Sequence, residues 1–234
     1  MRVFFITGEY PPMPSGVGDH VNHLVRSLSR CGHEIRVLTS INEFSGHEPD
    51  FDPRISVFRK VAHWDKRALP IIQEGLNEWC PEILHIQYHV LAFQRHPFVN
   101  FLPLILKRNF PRLKILTTYH EFAAPYRRLA LLPLLMGSHT NIVTNDDHFA
   151  RITPLMKLLF IKERLALVPM GPNVLPVGFS NGRRENLRAR LGVRRDEILL
   201  VRFGIYSSIT GLRKIYTEPH IQSADKRVCE QLTL

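Results

Sequence analysis

The residues best suited to chemistry lie in two places. The first is Ser15-Gly16-Val17-Gly18, a glycine-containing run between an apolar stretch and a helical pattern. Where such a run opens a helix, unpartnered backbone N–H groups and the positive end of the helix dipole face whatever docks there. Two glycines let a phosphate approach the backbone closely, and they serve equally well to shape a tight turn. A dinucleotide fingerprint fits less well. Its third glycine would fall at Val21, and Leu38-Thr39-Ser40 stands where an acid should end the second strand. The second place is His120-Glu121, directly after the apolar run Leu113–Tyr119. Side chains just past a buried strand sit at the carboxyl edge of a sheet, where ligands collect, so these two are expected to line a cleft. A lone histidine is also often a satisfied structural group. Other chemistries lack their residues. His85 and His89 are four apart across a strand and turn rather than on one helix face, and His120-Glu121 lacks the second histidine of a zincin. No Gly-x-Ser-x-Gly elbow occurs, and no metal is implied.

These groups need elements to hold them. Arg2–Thr7 is a short apolar run ended by Gly8, the pattern of a strand buried on both faces. Val17, Val21, Leu24, Val25 and Leu28 then form one helical stripe, with Asn22, Arg26 and Arg30 facing away. Gly32 stands where that helix should end in a left-handed turn, and Glu34–Thr39 alternates as a second strand. This is a βαβ unit with its glycine loop at the carboxyl edge. Further strands are expected at Ile55–Val61, Pro81–His89, Leu113–Tyr119, His139–Thr144 and Leu165–Val168. Helices are expected at Lys66–Trp79, at Phe98–Arg108 broken by Pro103, at Pro125–Met136, and at Asp147–Leu159 capped by Asn145-Asp146. Residues 41–54 read as a surface loop. The alternation specifies an α/β fold, a Rossmann-like parallel sheet with helices on both faces.

Composition bounds the rest. A chain of 234 residues buries one good core, about one and a half domains. The longest apolar run, Leu129–Met136, falls short of the ~20 residues that span a bilayer. Glu9 interrupts the N-terminal run too early for a signal peptide. Three widely spaced cysteines, Cys31, Cys80 and Cys229, argue against a disulfide framework and for the cytoplasm. The net charge of +10 suits an anionic partner: a nucleotide diphosphate, an acidic membrane face or nucleic acid. No long basic run or aromatic–basic repeat supports nucleic acid. Peripheral contact with the inner membrane face is a better candidate than nucleic acid, and a merely basic soluble surface is the simpler expectation. The apolar Pro125–Met136 segment would either pack on the sheet or lean an exposed edge on that membrane.

Tyr10-Pro11-Pro12, Ser15-Gly16-Val17-Gly18 and Cys31-Gly32-His33-Glu34-Ile35-Arg36-Val37-Leu38-Thr39 together resemble the start of family-four glycosyltransferases. Later landmarks follow in order: Pro81–His89, then Thr117-Thr118-Tyr119-His120-Glu121 with Glu in place of the family's Asp, then Pro169-Met170-Gly171-Pro172-Asn173-Val174. The resemblance implies the N-terminal, acceptor-side domain of a retaining enzyme of the GT-B fold. That domain would be residues 1–175. It also implies a nucleotide-diphosphate sugar as co-substrate, no further cofactor, and a sugar, lipid or other acceptor. By the same resemblance the loop Ser15, Gly16, Val17 and Gly18 would meet the donor diphosphate, and His120 would sit by the transferring sugar as the catalytic residue. Gln87, Tyr88, His89, Glu121 and Asn145 would shape the acceptor pocket.

The pattern then departs from the family. Residues 176–234 are expected to hold a linker helix over Arg183–Leu191, one strand over Glu197–Phe203 and a loose tail from about 205. This would be the incomplete start of a second domain. Ile205 and Thr210 stand where the family has the Arg and Lys that grip the diphosphate, with Arg213 and Lys214 just beyond. Glu218 and Glu230 lack the spacing of its paired glutamates. A truncated or frame-shifted chain is the simplest expectation. Two functional readings follow, a glycosyltransferase and a non-catalytic remnant or binding domain of the same fold.

Overall fold

The computed structural model describes residues 1–41, 52–121, 129–171, 181–194 and 196–197. The chain divides after Leu175 into two units. In the first, β1 (Arg2–Thr7), β2 (Glu34–Ser40), β3 (Ile55–Val61), β4 (Ile83–Tyr88), β5 (Lys114–Tyr119), β6 (Thr140–Val143) and β7 (Leu165–Leu167) make one sheet. Every pairing is parallel, in the order β3-β2-β1-β4-β5-β6-β7. Between these strands run α1 (Gly16–Arg30), α2 (Ala68–Trp79), α3 (Phe98–Asn109), α4 (Leu132–Gly137) and α5 (Asp146–Leu158). This is the expected α/β Rossmann-like fold. The strand order reverses between β1 and β4, so the loops leaving those two strands diverge and leave a crevice at their carboxyl ends.

Alternation along each strand divides the core. Val3, Phe5, Ile35 and Val37 meet α1 through Val21 and Val25. Phe4, Ile6, Leu84, Ile86 and Ile115 face α2, α3, α4 and α5 through residues such as Ile72, Leu102, Leu135 and Ile152. Each fully buried valine on α1 stabilises the fold by about 2 kcal/mol. The helix is fixed at both ends by local chemistry. Ser15 caps it, its Oγ accepting from the Gly18 N–H at 3.1 Å. At the other end Gly32 takes φ +87°, with Gly32 N–H donating to Ser29 O and His33 N–H to Leu28 O, a Schellman stop.

Two expectations change. Pro103 does not break α3, which runs through it from Phe98 to Asn109. Pro103 is buried against Gly137, where an added Cβ would lie 2.6 Å from the proline Cβ, so close α3–α4 packing outweighs the missing hydrogen bond. The helix expected over Pro125–Met136 is represented among the described residues by the short α4, preceded by a single tight turn at 129–131. There Leu134 and Leu135 pack on the sheet while Leu129 and Met136 are exposed.

The second unit contributes α6 (Asn181–Arg190), close to the expected span, with Leu187 and Leu191 exposed and Gly192 at φ +66° ending it. The strand expected at Glu197–Phe203, the tail from 205, most of the 41–54 loop and Pro172-Asn173-Val174 lie outside the described residues. Among the described residues no helix is long and apolar enough to cross a membrane.

Candidate functional site

Four histidines from three elements gather at the carboxyl edge. His120 follows β5, and its Nε2 lies 2.8 Å from Gln87 Oε1 on β4. The Gln87 Nε2 lies 3.1 Å from His85 Nε2, which lies 2.8 Å from Thr118 Oγ1. The strands dictate this line. In β4 His85 and Gln87 alternate onto one face, and the parallel register sets Gln87 beside Thr7 on one side and Thr118 on the other. Phe5 is the register partner of His85, and their rings sit 4.9 Å apart. His20, on the first turns of α1, packs edge-on to His120 with ring centroids 5.1 Å apart. The opening helix and the β5 tip therefore share one crevice. His89, just past β4, brings Nε2 to 3.6 Å from Glu121 Oε2, while its buried Nδ1 has no hydrogen-bond partner among the described residues.

Burial governs the electrostatics. Desolvation, followed by the nearby His20, His89 and His85 rings, lowers the His120 pKa to about 3. Desolvation and His20 lower that of His85 to about 3. His20 is lowered too, first by burial and then by His23. At neutral pH His120 and His85 are uncharged rings that act by hydrogen bonding, not as cations offered to an anion.

The two glycines of the loop differ. A Cβ on Gly18 would lie 3.2 Å from Tyr10 Cα and 3.3 Å from Tyr10 N, so Gly18 admits close packing of the loop on itself. Its N–H already serves the Ser15 cap. A Cβ on Gly16 would meet none of the described residues within 4 Å, so packing among them does not require glycine there. The Ser15 hydroxyl donates to the Glu9 carboxylate, which therefore holds a negative charge at the start of α1. Any anion arriving at this loop competes with Glu9.

The expected acceptor residues separate. Gln87 is fully buried, with both ends of its amide occupied by histidines. Tyr88 is only 4% exposed and packs beside Phe93 and Tyr119 in the core of the other face, so it does not line the crevice. Strand alternation turns it away from its neighbours. His89 and Glu121 stand together at the edge. Asn145 is exposed and caps α5, its Oδ1 accepting from the His148 N–H at 2.7 Å. Arg59 on β3 reaches back to donate to the Pro11 carbonyl, which places a guanidinium beneath the β1 loop. His20 and Arg59 carry no sequence signal of a role, since each joins the site only through long-range pairing. Among the described residues no group of three or more His, Cys, Asp or Glu is arranged to hold a metal ion. A separate shallow hollow lies between α2 and β2–β3, lined by Phe4, Arg36, Phe58 and Glu78 among others. The Arg36 guanidinium stacks there on Phe58 and Trp79, which is packing rather than chemistry.

No protein-family model and no curated protein matches the chain. Solved structures do. Sucrose-phosphate synthase from Thermosynechococcus elongatus superposes with a TM-score of 0.59 at 16% identity, covering 84% of this chain and 54% of its own. An alpha-glucosyltransferase in complex with UDP-glucose and DNA containing an abasic site gives 0.46 at 16% identity, over 73% of this chain and 42% of its own. A dTDP-glucose 4,6-dehydratase from Bacillus anthracis str. Ames, in complex with NAD, gives 0.42 at 13% identity, over 62% of this chain and 54% of its own. The chain thus spans about half the length of the synthase whose fold it shares.

Proposed function

We propose that this chain is the acceptor-side part of a retaining glycosyltransferase that uses a nucleotide-diphosphate sugar. The observation that carries the reading is the contact between His20 of α1 and His120 of the β5 tip. It sets the start of the glycine-opened helix and a neutral imidazole on one crevice, at the switch point of a parallel sheet. The fold held in common with half of sucrose-phosphate synthase supports it. In this reading the α1 loop meets the diphosphate and His120 hydrogen-bonds the transferring sugar. His89 and Glu121 face the acceptor, which is a sugar, a lipid or another hydroxyl compound. Negative charge grows on the leaving diphosphate in the transition state, and oriented amides there stabilise it. Front-face substitution lets the leaving phosphate help deprotonate the acceptor, so paired carboxylates are not required.

The test is transfer from a panel of radiolabelled nucleotide sugars to sugar and lipid acceptors. Measurable turnover is expected, and His120→Ala should lower it by about 100-fold. A wild-type rate at background, or an alanine variant as active as wild type, overturns the reading. Gly16→Ala separates the roles of the glycines. With no described residue in the way of the methyl, the thermal midpoint should not move, while donor KM rises several-fold because the methyl would stand where a phosphate approaches. An unchanged KM assigns Gly16 to the turn alone.

A second reading, a binding domain of the same fold without turnover, is favoured by one set of residues. Ile205 and Thr210 stand in the places of the Arg and Lys that would hold the diphosphate. Binding of a nucleotide sugar by calorimetry with no transfer to any acceptor selects it.

A further inference from the structure

We propose that Gln87 is a positioning residue: its buried amide, braced on His85, fixes His120 with a proton on Nε2 and so leaves Nδ1 as the nitrogen that accepts from a ligand. The catalytic consequence rests on the glycosyl-transfer reading above; the tautomer assignment does not.

Donor and acceptor chemistry fixes the assignment. An amide nitrogen only donates and an amide oxygen only accepts. Gln87 Nε2 is 3.1 Å from His85 Nε2, so that ring nitrogen carries a lone pair and the His85 proton resides on Nδ1. The opposite end of the same amide is Oε1, 2.8 Å from His120 Nε2, so that nitrogen carries the proton. One amide orientation thus dictates two tautomers. A proton added to His85 Nε2 would face the amide N–H, so the line also resists charging of His85. Thr118 Oγ1, 2.8 Å from His85 Nε2, braces the inner end, while Phe5 at 4.9 Å and His20 at 5.1 Å hold the two rings in place. Gln87 is fully buried, and a polar amide is costly to bury unless its groups are bonded. Here both ends meet a ring at the site rather than backbone. The lone pair on Nδ1 is suited to accept from a sugar or acceptor hydroxyl; the reverse tautomer would instead present an N–H donor. The choice of tautomer therefore decides which ligand group His120 can meet.

The test uses the full chain labelled with ¹⁵N-histidine, long-range ¹H–¹⁵N spectra from pH 8 to 4, and His120→Asn to identify the resonances. The expected wild-type result is a neutral His120 with its proton on Nε2 down to pH 5. In Gln87→Glu a carboxylate replaces the amide, so the His120 titration should rise by at least about 1 pH unit. In Gln87→Leu the single tautomer should be lost, with kcat lowered about 10-fold and KM within about twofold. A wild-type His120 protonated on Nδ1, or tautomer and titration unmoved in both variants, overturns the proposal. The wild-type spectrum identifies the tautomer even where Gln87→Leu does not fold. Absence of transfer from every nucleotide sugar would end the glycosyl-transfer reading while the spectra still decide this one.

Discussion

Lowering the pH from 7.5 to 4.5 should cost the domain about 4 kcal/mol of stability. The cause is the buried imidazole pair. Burial first, and mutual repulsion with His20 second, lower the pKa of both His85 and His120 from 6.5 to about 3. Above pH 6.5 both rings are neutral in folded and unfolded chains alike, and neither favours unfolding. Below 6.5 the unfolded chain binds protons that the folded chain refuses, so stability falls by about 1.4 kcal/mol per pH unit for each ring. The slope persists until the pH nears 3. His120 is partly open to solvent and contributes less than His85, which is why the total is set below the simple two-ring figure. His20 and His139, both lowered mainly by burial, act in the same direction. Asp52 and Asp65 are half-buried carboxylates lowered by hydrogen bonds, chiefly from Arg54 and Arg67 respectively, and they matter only at still lower pH, as it falls through about 3.8. Urea midpoints at pH 7.5, 6.0, 5.0 and 4.5 measure the effect. His85→Gln should roughly halve the slope between pH 6 and 4.5. A midpoint independent of pH over that window contradicts the buried neutral pair.

The same pair explains what the sequence could and could not disclose. Local signals carry most of the fold: the α1 stripe, the Ser15 cap, the left-handed Gly32 and the strand-sized apolar runs each depend on neighbours within a few residues. They suffice to predict the parallel sheet and the crevice end at which His120 emerges. The partners of His120 are not legible. That Gln87 lies beside Thr118 follows from the β4–β5 register, and that His20 reaches the β5 tip follows from the seating of α1 on β1 and β2. Neither is written in a window of ten residues. Tyr88 is the readable exception, because period-two alternation alone sets it opposite Gln87 and into the other core. Pro103 shows the converse, a local breaker overruled by packing against Gly137.

Replacing Gly8 by alanine should lower stability by about 3 kcal/mol or prevent folding altogether. Gly8 directly follows β1, at the reversal of strand order, and there the backbone leaving β1 lies against the segment after β4. An added Cβ would stand 1.9 Å from the Ala92 carbonyl oxygen, 2.4 Å from its carbon and 3.0 Å from its Cα. These are backbone atoms, so no side-chain rotation relieves the overlap. Relief requires moving one loop bodily, and each is anchored. The Gly8 carbonyl accepts from Ser40 Oγ at 2.6 Å, and that hydroxyl accepts from the indole N–H of buried Trp64 at 2.8 Å. Phe93, next to Ala92, packs edge-on to the same Trp64 at 4.8 Å. Displacing either loop therefore disturbs the Trp64 core as well as the crevice floor. Gly16→Ala, whose methyl meets none of the described residues, is the matched control and should denature like wild type. Chemical denaturation of both variants tests the claim. A Gly8→Ala protein with an unchanged midpoint would mean that the β1 and β4 loops do not touch, and the crevice on which His120 opens would have no floor.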